Sequence, residues 1–291
     1  IILGGPEVSY DPTTMLNNHP EVDYIVYGES EVNFKRLLTK LEAKQSVAEV
    51  KGLAYRDDGV VKNEPRGVLT NLDQIPSPYQ SLDGLENKVV YYESMRGCPF
   101  NCQYCLSSTL SQVRFFSLER VKDDLLTSIE AEVRQVKFVD RTFNCDADHA
   151  LEIFKFLVAN RPPDCEINFH FEITADLLTE EIIDFLATVP PGYFQFEIGV
   201  QSTNEETLGL IDRKVDFARL SEVVTKLAAA QNIHLHLDLI AGLPSEDYDT
   251  FQDSFNDVYQ LNPDRLQLGF LKLLKGSGLR RQAENYGYVF R

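Results

Sequence analysis

Basic residues are scarce in this 291-residue chain: 28 Lys and Arg stand against 45 Asp and Glu, a formal net charge of −17. A protein that grips nucleic acid through its phosphates draws on clustered Lys and Arg, and no basic stripe is present to do so. Long apolar runs are missing as well. No segment approaches the roughly 20 consecutive apolar residues of a membrane-spanning helix, and no secretory leader is visible. Cysteines number only five, three of them clustered, which is not the even, spaced set of a secreted disulfide framework and points to a reducing, cytoplasmic setting. What remains, 43% hydrophobic and 25% charged residues, is the composition of a soluble globular protein. Its length allows a sizeable core in one large domain or two smaller ones. A small molecule, or a macromolecule contacted locally, is the expected partner. The chain opens without methionine, in mid-strand at Ile1-Ile2-Leu3, and reads as a piece of a longer protein.

The stretch Met95-Arg96-Gly97-Cys98-Pro99-Phe100-Asn101-Cys102-Gln103-Tyr104-Cys105 comes directly after a strand-like run. Cys98, Cys102 and Cys105 are spaced so that a short loop can turn their sulfurs to one metal centre. Structural zinc sites and ordinary iron–sulfur clusters normally take four protein ligands, so three thiolates leave a coordination position open. A zinc knuckle completed by a distant Cys or His, or a disulfide loop, are the other readings. Cys145 and Cys165 stand alone and read as small buried hydrophobes.

Residues 1–48 read as the end of an α/β domain. An apolar strand Ile1–Leu3 meets the turn Gly4-Gly5-Pro6, a second strand-like run covers Val22–Tyr27, and a helix over Glu31–Leu41 is expected to be capped by Ser30. Its apolar face would carry Phe34, Leu37, Leu38 and Leu41. Gly4-Gly5 after a strand allows close backbone approach to a ligand, or simply a tight turn. Residues 49–85 hold a hairpin around Asp58-Gly59 and the stiff segment Ile75-Pro76-Ser77-Pro78-Tyr79, which reads as a linker with a domain boundary near Leu85.

Over residues 86–291 strands and helices alternate. Strands are predicted at Val89–Met95, Val136–Asp140, Ile167–Ile173, Phe194–Val200, Ile233–Ile240 and Arg265–Leu271, with helix starts at Ser117 and Thr179 among those between them. Six βα repeats imply a parallel sheet covered by helices, either curled into a barrel or open and doubly wound. Alternation within the strands decides between these. In Ile167–Ile173, Phe194–Gln201 and Leu235–Leu239 apolar residues face one way and polar ones the other, whereas a doubly wound sheet is apolar on both faces. The expectation is a partial (βα)6, TIM-like barrel with a wet concave side. Strand parity puts Glu172, Gln201 and Asp238 on that side near the C-terminal strand ends, where barrel catalysis belongs; mutual satisfaction of inward polar groups is the alternative. The five histidines, His19, His149, His170, His234 and His236, show no metal-ligand spacing and read as structural or exposed.

The loop Cys-x3-Cys-x-aromatic-Cys, with Tyr104 in the aromatic slot, resembles that of the radical S-adenosylmethionine (SAM) superfamily. The resemblance covers Val89 to about Gly278. It implies a four-iron four-sulfur cluster on Cys98, Cys102 and Cys105, whose fourth iron chelates SAM, and reductive cleavage to a 5′-deoxyadenosyl radical. An electron donor such as flavodoxin or ferredoxin is implied with it. Glu197-Ile198-Gly199-Val200-Gln201-Ser202 is similar to a strand-four motif whose Gln reaches the cofactor, Arg213 matches an Arg that can pair with its carboxylate, and Asp238–Pro244 resembles a strand-five motif contacting ribose and adenine. Phe138–Asn144 departs from the Gly-Gly-Glu segment of many relatives; Asp140 or Thr142 is a substitute, or Asp140 caps the next helix. Gly4-Gly5-Pro6 followed by Val22-Asp23 and Gly28-Glu29 resembles the end of the Rossmann-like cobalamin-binding domain that precedes the radical domain in one subfamily, with Gly4 and Gly5 against the cobalamin nucleotide tail. Its Asp-x-His-x-x-Gly cobalt-ligating motif is absent. The implied activity is that of a cobalamin-associated methyltransferase, or an oxidoreductase or cyclase. A methylthiotransferase acting on tRNA or protein, and a zinc-stabilised non-catalytic binding module, are the alternatives.

Overall fold

The computed structural model describes residues 1–79, 81, 83–110, 112–164 and 166–289. Cys165 lies outside the described residues. The chain divides into two compact units, Ile1–Pro76 and Ser77 onward.

In the first unit the strands β1 (Ile2–Gly4), β2 (Tyr24–Val26), β3 (Leu53–Asp57) and β4 (Val60–Asn63) form one sheet in that order. β1 and β2 are parallel, and the hairpin β3–β4 adds antiparallel to β2. Asp58 and Gly59 both take positive φ, 47° and 79°, the backbone of a two-residue hairpin loop that matches strand twist. The predicted hairpin therefore belongs to this sheet. Alternate side chains separate two cores. Ile25 and Ala54 pack with Val8 and Leu16 from α1 (Pro6–Ser9) and α2 (Pro12–Asn18), while Val26 and Leu53 pack with Leu37 from α3 (Glu31–Glu42).

Two expectations for α3 fail. Ser30 makes no side-chain cap hydrogen bond; its φ and ψ of −101° and −12° already lie in the helical region, not the extended one that a capping side chain requires. The buried stripe runs through Asn33 and Leu37 to the half-buried Leu41, whereas Phe34 and Leu38 are 43% and 44% exposed. Steps of four residues hold one side of a helix, and Phe34 and Leu38, each one position round from that line, fall off it.

In the second unit β5 (Val89–Tyr92) leads into a two-stranded ribbon, β6 (Met95–Arg96) with β7 (Arg114–Phe115), which brackets the cysteine loop. β8 (Gln135–Phe138), β9 (Asn168–Ile173), β10 (Phe194–Gln201), β11 (His234–Ala241) and β12 (Arg265–Phe270) complete a six-stranded sheet with β5. Its order is β5-β8-β9-β10-β11-β12, with every neighbouring pair parallel. Sequential strands lie side by side, as βα units wound in one sense require, and β5 and β12 are open edges, so the barrel is partial.

Each long crossover helix starts at a short polar residue that accepts a hydrogen bond from the third helical N–H. Ser117 does so for α4 (Leu118–Glu130), Asp146 for α5 (Ala147–Ala159), Thr179 for α6 (Glu180–Leu186), Asp216 for α8 (Phe217–Ala230) and Asp247 for α9 (Tyr248–Tyr259). Asn204 does the same for the short α7 (Glu205–Leu210). Asp146, not Asp140, thus caps α5. α10 (Gly278–Arg281) is the last helix among the described residues.

On the helix side of the sheet Phe138, Phe143, Phe154, Phe171, Phe194 and Phe196 are all fully buried. Phe171 sits centrally, with ring centroids 4.6 Å from Phe138, 4.6 Å from Phe143 and 5.1 Å from Phe154. This apolar slab fixes the strands, so their opposite face can be polar without costing the fold its core.

Candidate cofactor site

The cysteine loop is a backbone construction. Gly97 has φ 98°, and a Cβ there would stand 2.3 Å from the Gln112 carbonyl oxygen and 2.9 Å from that of Leu110. Only glycine accepts both the conformation and the approach. Leu110 O in turn receives the Cys98 N–H at 3.1 Å, and Cys105 N–H bonds Cys102 O at 3.1 Å. The loop is also tied to segments beyond the later strands: Gln103 N–H donates to Ile211 O at 2.8 Å, and Leu279 N–H donates to Gln103 O at 2.8 Å. Cys98 and Cys102 are buried and Cys105 half-buried.

Asp140 holds the entry to the loop. Its carboxylate accepts the N–H of Ser94 at 2.9 Å, the N–H of Met95 at 3.0 Å and the Ser94 hydroxyl. Burial pushes its pKa up to about 7 against the pull of those three donors. It is therefore a brace between β8 and the strand that delivers the cysteines. Thr142 does reach the site: its Oγ1 lies 3.6 Å from Cys98 Sγ.

All three cysteines line one cleft of about 190 Å³ together with Tyr104, Glu172, Glu197, Gln201, Arg213 and Asp238. The structure thus brings the predicted Cys98, Cys102, Cys105, Tyr104, Glu172, Gln201, Arg213 and Asp238 into one cavity, with Thr142 beside them, while Asp140 does not line it. Gln201 is aimed by a bulge. Gly199 pairs with Asp238 and Gln201 with Leu239, so the ladder skips Val200, and Gln201 takes φ 75°; such an insertion re-aims a side chain at the rim of a sheet. Arg213 crosses from the turn after α7, donating to Gly199 O, to the Tyr104 hydroxyl at 3.3 Å and toward Cys102 Sγ at 3.8 Å. Glu172 faces Arg141 at 3.5 Å, yet burial outweighs that cation and raises its pKa.

Beneath these groups lies a polar floor that sequence reasoning missed. His170 Nε2 and Lys137 Nζ stand 3.1 and 3.3 Å from Glu197 Oε2, and the hydrogen bond from His170 is the main reason that the Glu197 carboxyl is held low. His236 Nε2 is 3.1 Å from Asp238 Oδ1. Both histidines are buried. The alternation that singles out Glu172 and Gln201 also marks Lys137, His170, Glu197 and His236 as concave-facing; what it lacked was the cross-strand pairing. His149 is different: it packs against Phe115, ring centroids 4.6 Å apart.

Among the described residues, buried polar atoms without a hydrogen-bond partner include Gln201 Oε1, Arg213 Nε and Asp238 Oδ1. Orphaned groups of this kind cost about 1–3 kcal/mol each when nothing satisfies them, so three in one cleft mark the seat of a polar ligand bearing both donors and acceptors. SAM, with an ammonium, a carboxylate and a ribose diol, fits that donor set, and three thiols beside it fit a cluster with one open iron.

Gly4 and Gly5 lie in the first unit. Gly5 turns the chain into α1 at φ 95°, with nothing within 4 Å of an added Cβ, while a Cβ on Gly4 would sit 3.3 Å from Val26 O. Cys145 is half-buried, its Sγ 3.6 Å from Met95 Sδ.

The chain belongs to the radical SAM superfamily, which it matches over residues 92–258, more than half its length. Its similarity extends to the cobalamin-dependent radical SAM methyltransferase TokK of Streptomyces tokunonensis, at 29% identity over 311 residues, covering 99% of this chain and 45% of TokK. The uncharacterized methyltransferase PH0819 of Pyrococcus horikoshii is 27% identical over 279 residues, covering 92% of this chain and 59% of that protein. Among solved structures, the radical SAM methyltransferase TsrM of Kitasatospora setae shares the fold with a TM-score of 0.80 at 17% identity, over 97% of this chain and 58% of TsrM. The chain spans about half the length of the curated relatives it matches. No helix among the described residues is long and apolar enough to cross a membrane.

Proposed function

We propose that the chain carries the cofactor site of a cobalamin-associated radical SAM enzyme, a methyltransferase in the first instance, acting on a small molecule or a locally contacted partner. The observation that carries this reading is the single cleft in which three loop cysteines meet the unpartnered Gln201, Arg213 and Asp238 atoms. When bound, the cluster and SAM supply one-electron cleavage of the sulfonium to a 5′-deoxyadenosyl radical.

The protein's own residues do the rest. Cys98, Cys102 and Cys105 would hold the cluster, with Tyr104 lining the same cleft. Arg213 meets the SAM carboxylate, a charge-assisted contact of the stronger kind; Glu172 takes the ammonium, and Gln201 and Asp238 accept from the ribose hydroxyls. The phenylalanine slab behind the sheet fixes the strands that carry Glu172, Gln201 and Asp238, which preorganises the site. The first unit is read as part of the cobalamin domain, with Gly4 and Gly5 beside the nucleotide tail; its support is that the similarity to TokK covers nearly the whole chain. Electrons come from a flavodoxin- or ferredoxin-like donor in a reducing cytoplasm.

Anaerobic iron–sulfur reconstitution followed by an assay for 5′-deoxyadenosine with reductant tests this reading. Wild type is expected to bind about four iron atoms per chain and to form the nucleoside, while the triple Ala variant of Cys98, Cys102 and Cys105 loses the visible thiolate-to-iron absorption. Full iron in that variant, or stoichiometric zinc in anaerobically prepared wild type, overturns it. Hydroxocobalamin titration of the full-length protein tests the first unit: no binding removes cobalamin from the mechanism.

A further inference from the structure

Two side chains that line the cofactor cleft, Gln201 and Arg213, converge on one glycine, Gly199. Gln201 and Gly199 stand two places apart on β10, where a regular strand sets side chains on one face roughly 7 Å from each other. The bulge and the positive φ of Gln201 close that gap. A Cβ on Gly199 would stand 2.2 Å from Gln201 Nε2 and 3.4 Å from its Cδ, so the amide occupies the space that any larger residue would fill. Arg213 meets the same backbone unit: its Nη2 donates to the Gly199 carbonyl and lies 3.7 Å from the Cβ position. Nη1 donates to the Tyr104 hydroxyl at 3.3 Å and toward Cys102 Sγ at 3.8 Å, while Nε is buried without a partner. Gln201 Oε1 is its counterpart, a buried acceptor without a donor.

We propose that Gly199 is a positioning residue for the cofactor: its bare Cα seats the Gln201 amide, its carbonyl anchors Arg213, and the two side chains are thereby held with Gln201 Oε1 and Arg213 Nε available to the ligand. The inference rests on the SAM reading given above. The chemistry of the two atoms matches that ligand, because an amide oxygen accepts from a hydroxyl and a guanidinium N–H donates to a carboxylate. Fixing both side chains on one backbone unit also removes their rotamer freedom before the ligand arrives, which lowers the cost of binding. Gly199 is not among the glycines with positive φ, so its backbone accepts any residue. The atom in the way of a methyl group is the far end of a flexible side chain, and the Arg213 contact at 3.7 Å is ordinary van der Waals distance. Alanine at this position therefore displaces the Gln201 amide and leaves the strand and Arg213 in place, unlike alanine at Gly97, which meets backbone oxygens.

SAM affinity of the anaerobically reconstituted protein, measured calorimetrically for wild type, Gly199→Ala, Gln201→Ala and the double variant, tests the proposal, with iron per chain and the unfolding midpoint recorded on the same samples. Gly199→Ala is expected to bind SAM about tenfold more weakly, the worth of one lost hydrogen bond, while keeping its iron and its midpoint. Gln201→Ala should weaken binding by a similar factor. The double variant should be no weaker than Gln201→Ala, because the methyl group has no amide left to displace; such a failure of additivity is the mark of two groups acting through one contact. Additive losses in the double variant overturn the proposal, as does wild-type affinity in Gly199→Ala beside a weakened Gln201→Ala. A loss of iron or midpoint in Gly199→Ala that persists in the double variant shows the alanine acting on the fold and also overturns it. Unchanged SAM affinity in Gln201→Ala instead overturns the cofactor reading.

Discussion

Replacing Gly97 by Ala puts a methyl group where the fold has a backbone. The residue sits at φ 98°, and its Cβ would lie 2.3 Å from Gln112 O and 2.9 Å from Leu110 O. Neither oxygen belongs to a side chain that can rotate away, so the loop must shift. Holding a non-glycine residue in such a region costs about 1–3 kcal/mol. Leu110 O is also the acceptor of the Cys98 N–H, and losing that bond adds about 1 kcal/mol. The expected destabilisation is roughly 2–4 kcal/mol, within the about 5–15 kcal/mol that a domain of ordinary stability holds, so Gly97→Ala still folds but carries Cys98 out of place. Gly192→Ala is the control, because Gly192 also has positive φ, 76°, but nothing within 4 Å of an added Cβ. Guanidinium unfolding midpoints and iron per chain after anaerobic reconstitution read the two effects. Gly192→Ala should lose a little stability and keep its iron; Gly97→Ala should lose more stability and most of its iron. A Gly97→Ala protein with wild-type midpoint and full iron would refute the steric account of the loop.

Asp140→Ala leaves the N–H groups of Ser94 and Met95 without their acceptor and is expected to cost roughly 2–5 kcal/mol in chemical unfolding; a loss below that range would mean the brace is dispensable. The folded Asp140 pKa is raised from 3.8 to about 7, so the folded state binds this proton more tightly than the unfolded one. That contribution is complete below the unfolded value and is lost as pH rises through the folded one. Wild type should therefore weaken by roughly 2–4 kcal/mol over that window, and Asp140→Asn, which keeps an acceptor and cannot ionise, should flatten the slope; identical slopes would contradict the assignment. Phe171→Ala empties the centre of the aromatic slab and should destabilise by about 3–5 kcal/mol, with no accompanying change in the pH dependence; a midpoint shift worth under 1 kcal/mol would show the slab is not the support of the sheet.

The polarity pattern along the chain determined a good deal by itself. Period-two alternation in Phe194–Gln201 and its neighbours, broken by Ser, Thr or Asp at helix starts, was enough to count six βα units, to orient their faces and to bring Glu172, Gln201 and Asp238 to one side, because these are consequences of backbone geometry within a few residues. The cysteine loop was legible for the same reason: its ligands are neighbours in sequence. What only the tertiary structure decided involves partners far apart in the chain. Asp140 reads locally as a loop acid, and its part as a brace depends on Ser94 and Met95, 46 and 45 residues away. The hairpin is legible from its Asp58-Gly59 turn, but that it extends the sheet of the first unit appears only when β3 is seen paired with β2. Phe34 and Leu38 are apolar at helical spacing, yet which stripe of α3 is buried was settled by where β2 and β3 present Val26 and Leu53. Glu197 and His170 show only their parity in sequence; that they meet across β9 and β10 is set by register. Local pattern carries orientation, but the identity of a partner across strands is a property of the assembled sheet, where a one-residue change of register would pair different side chains.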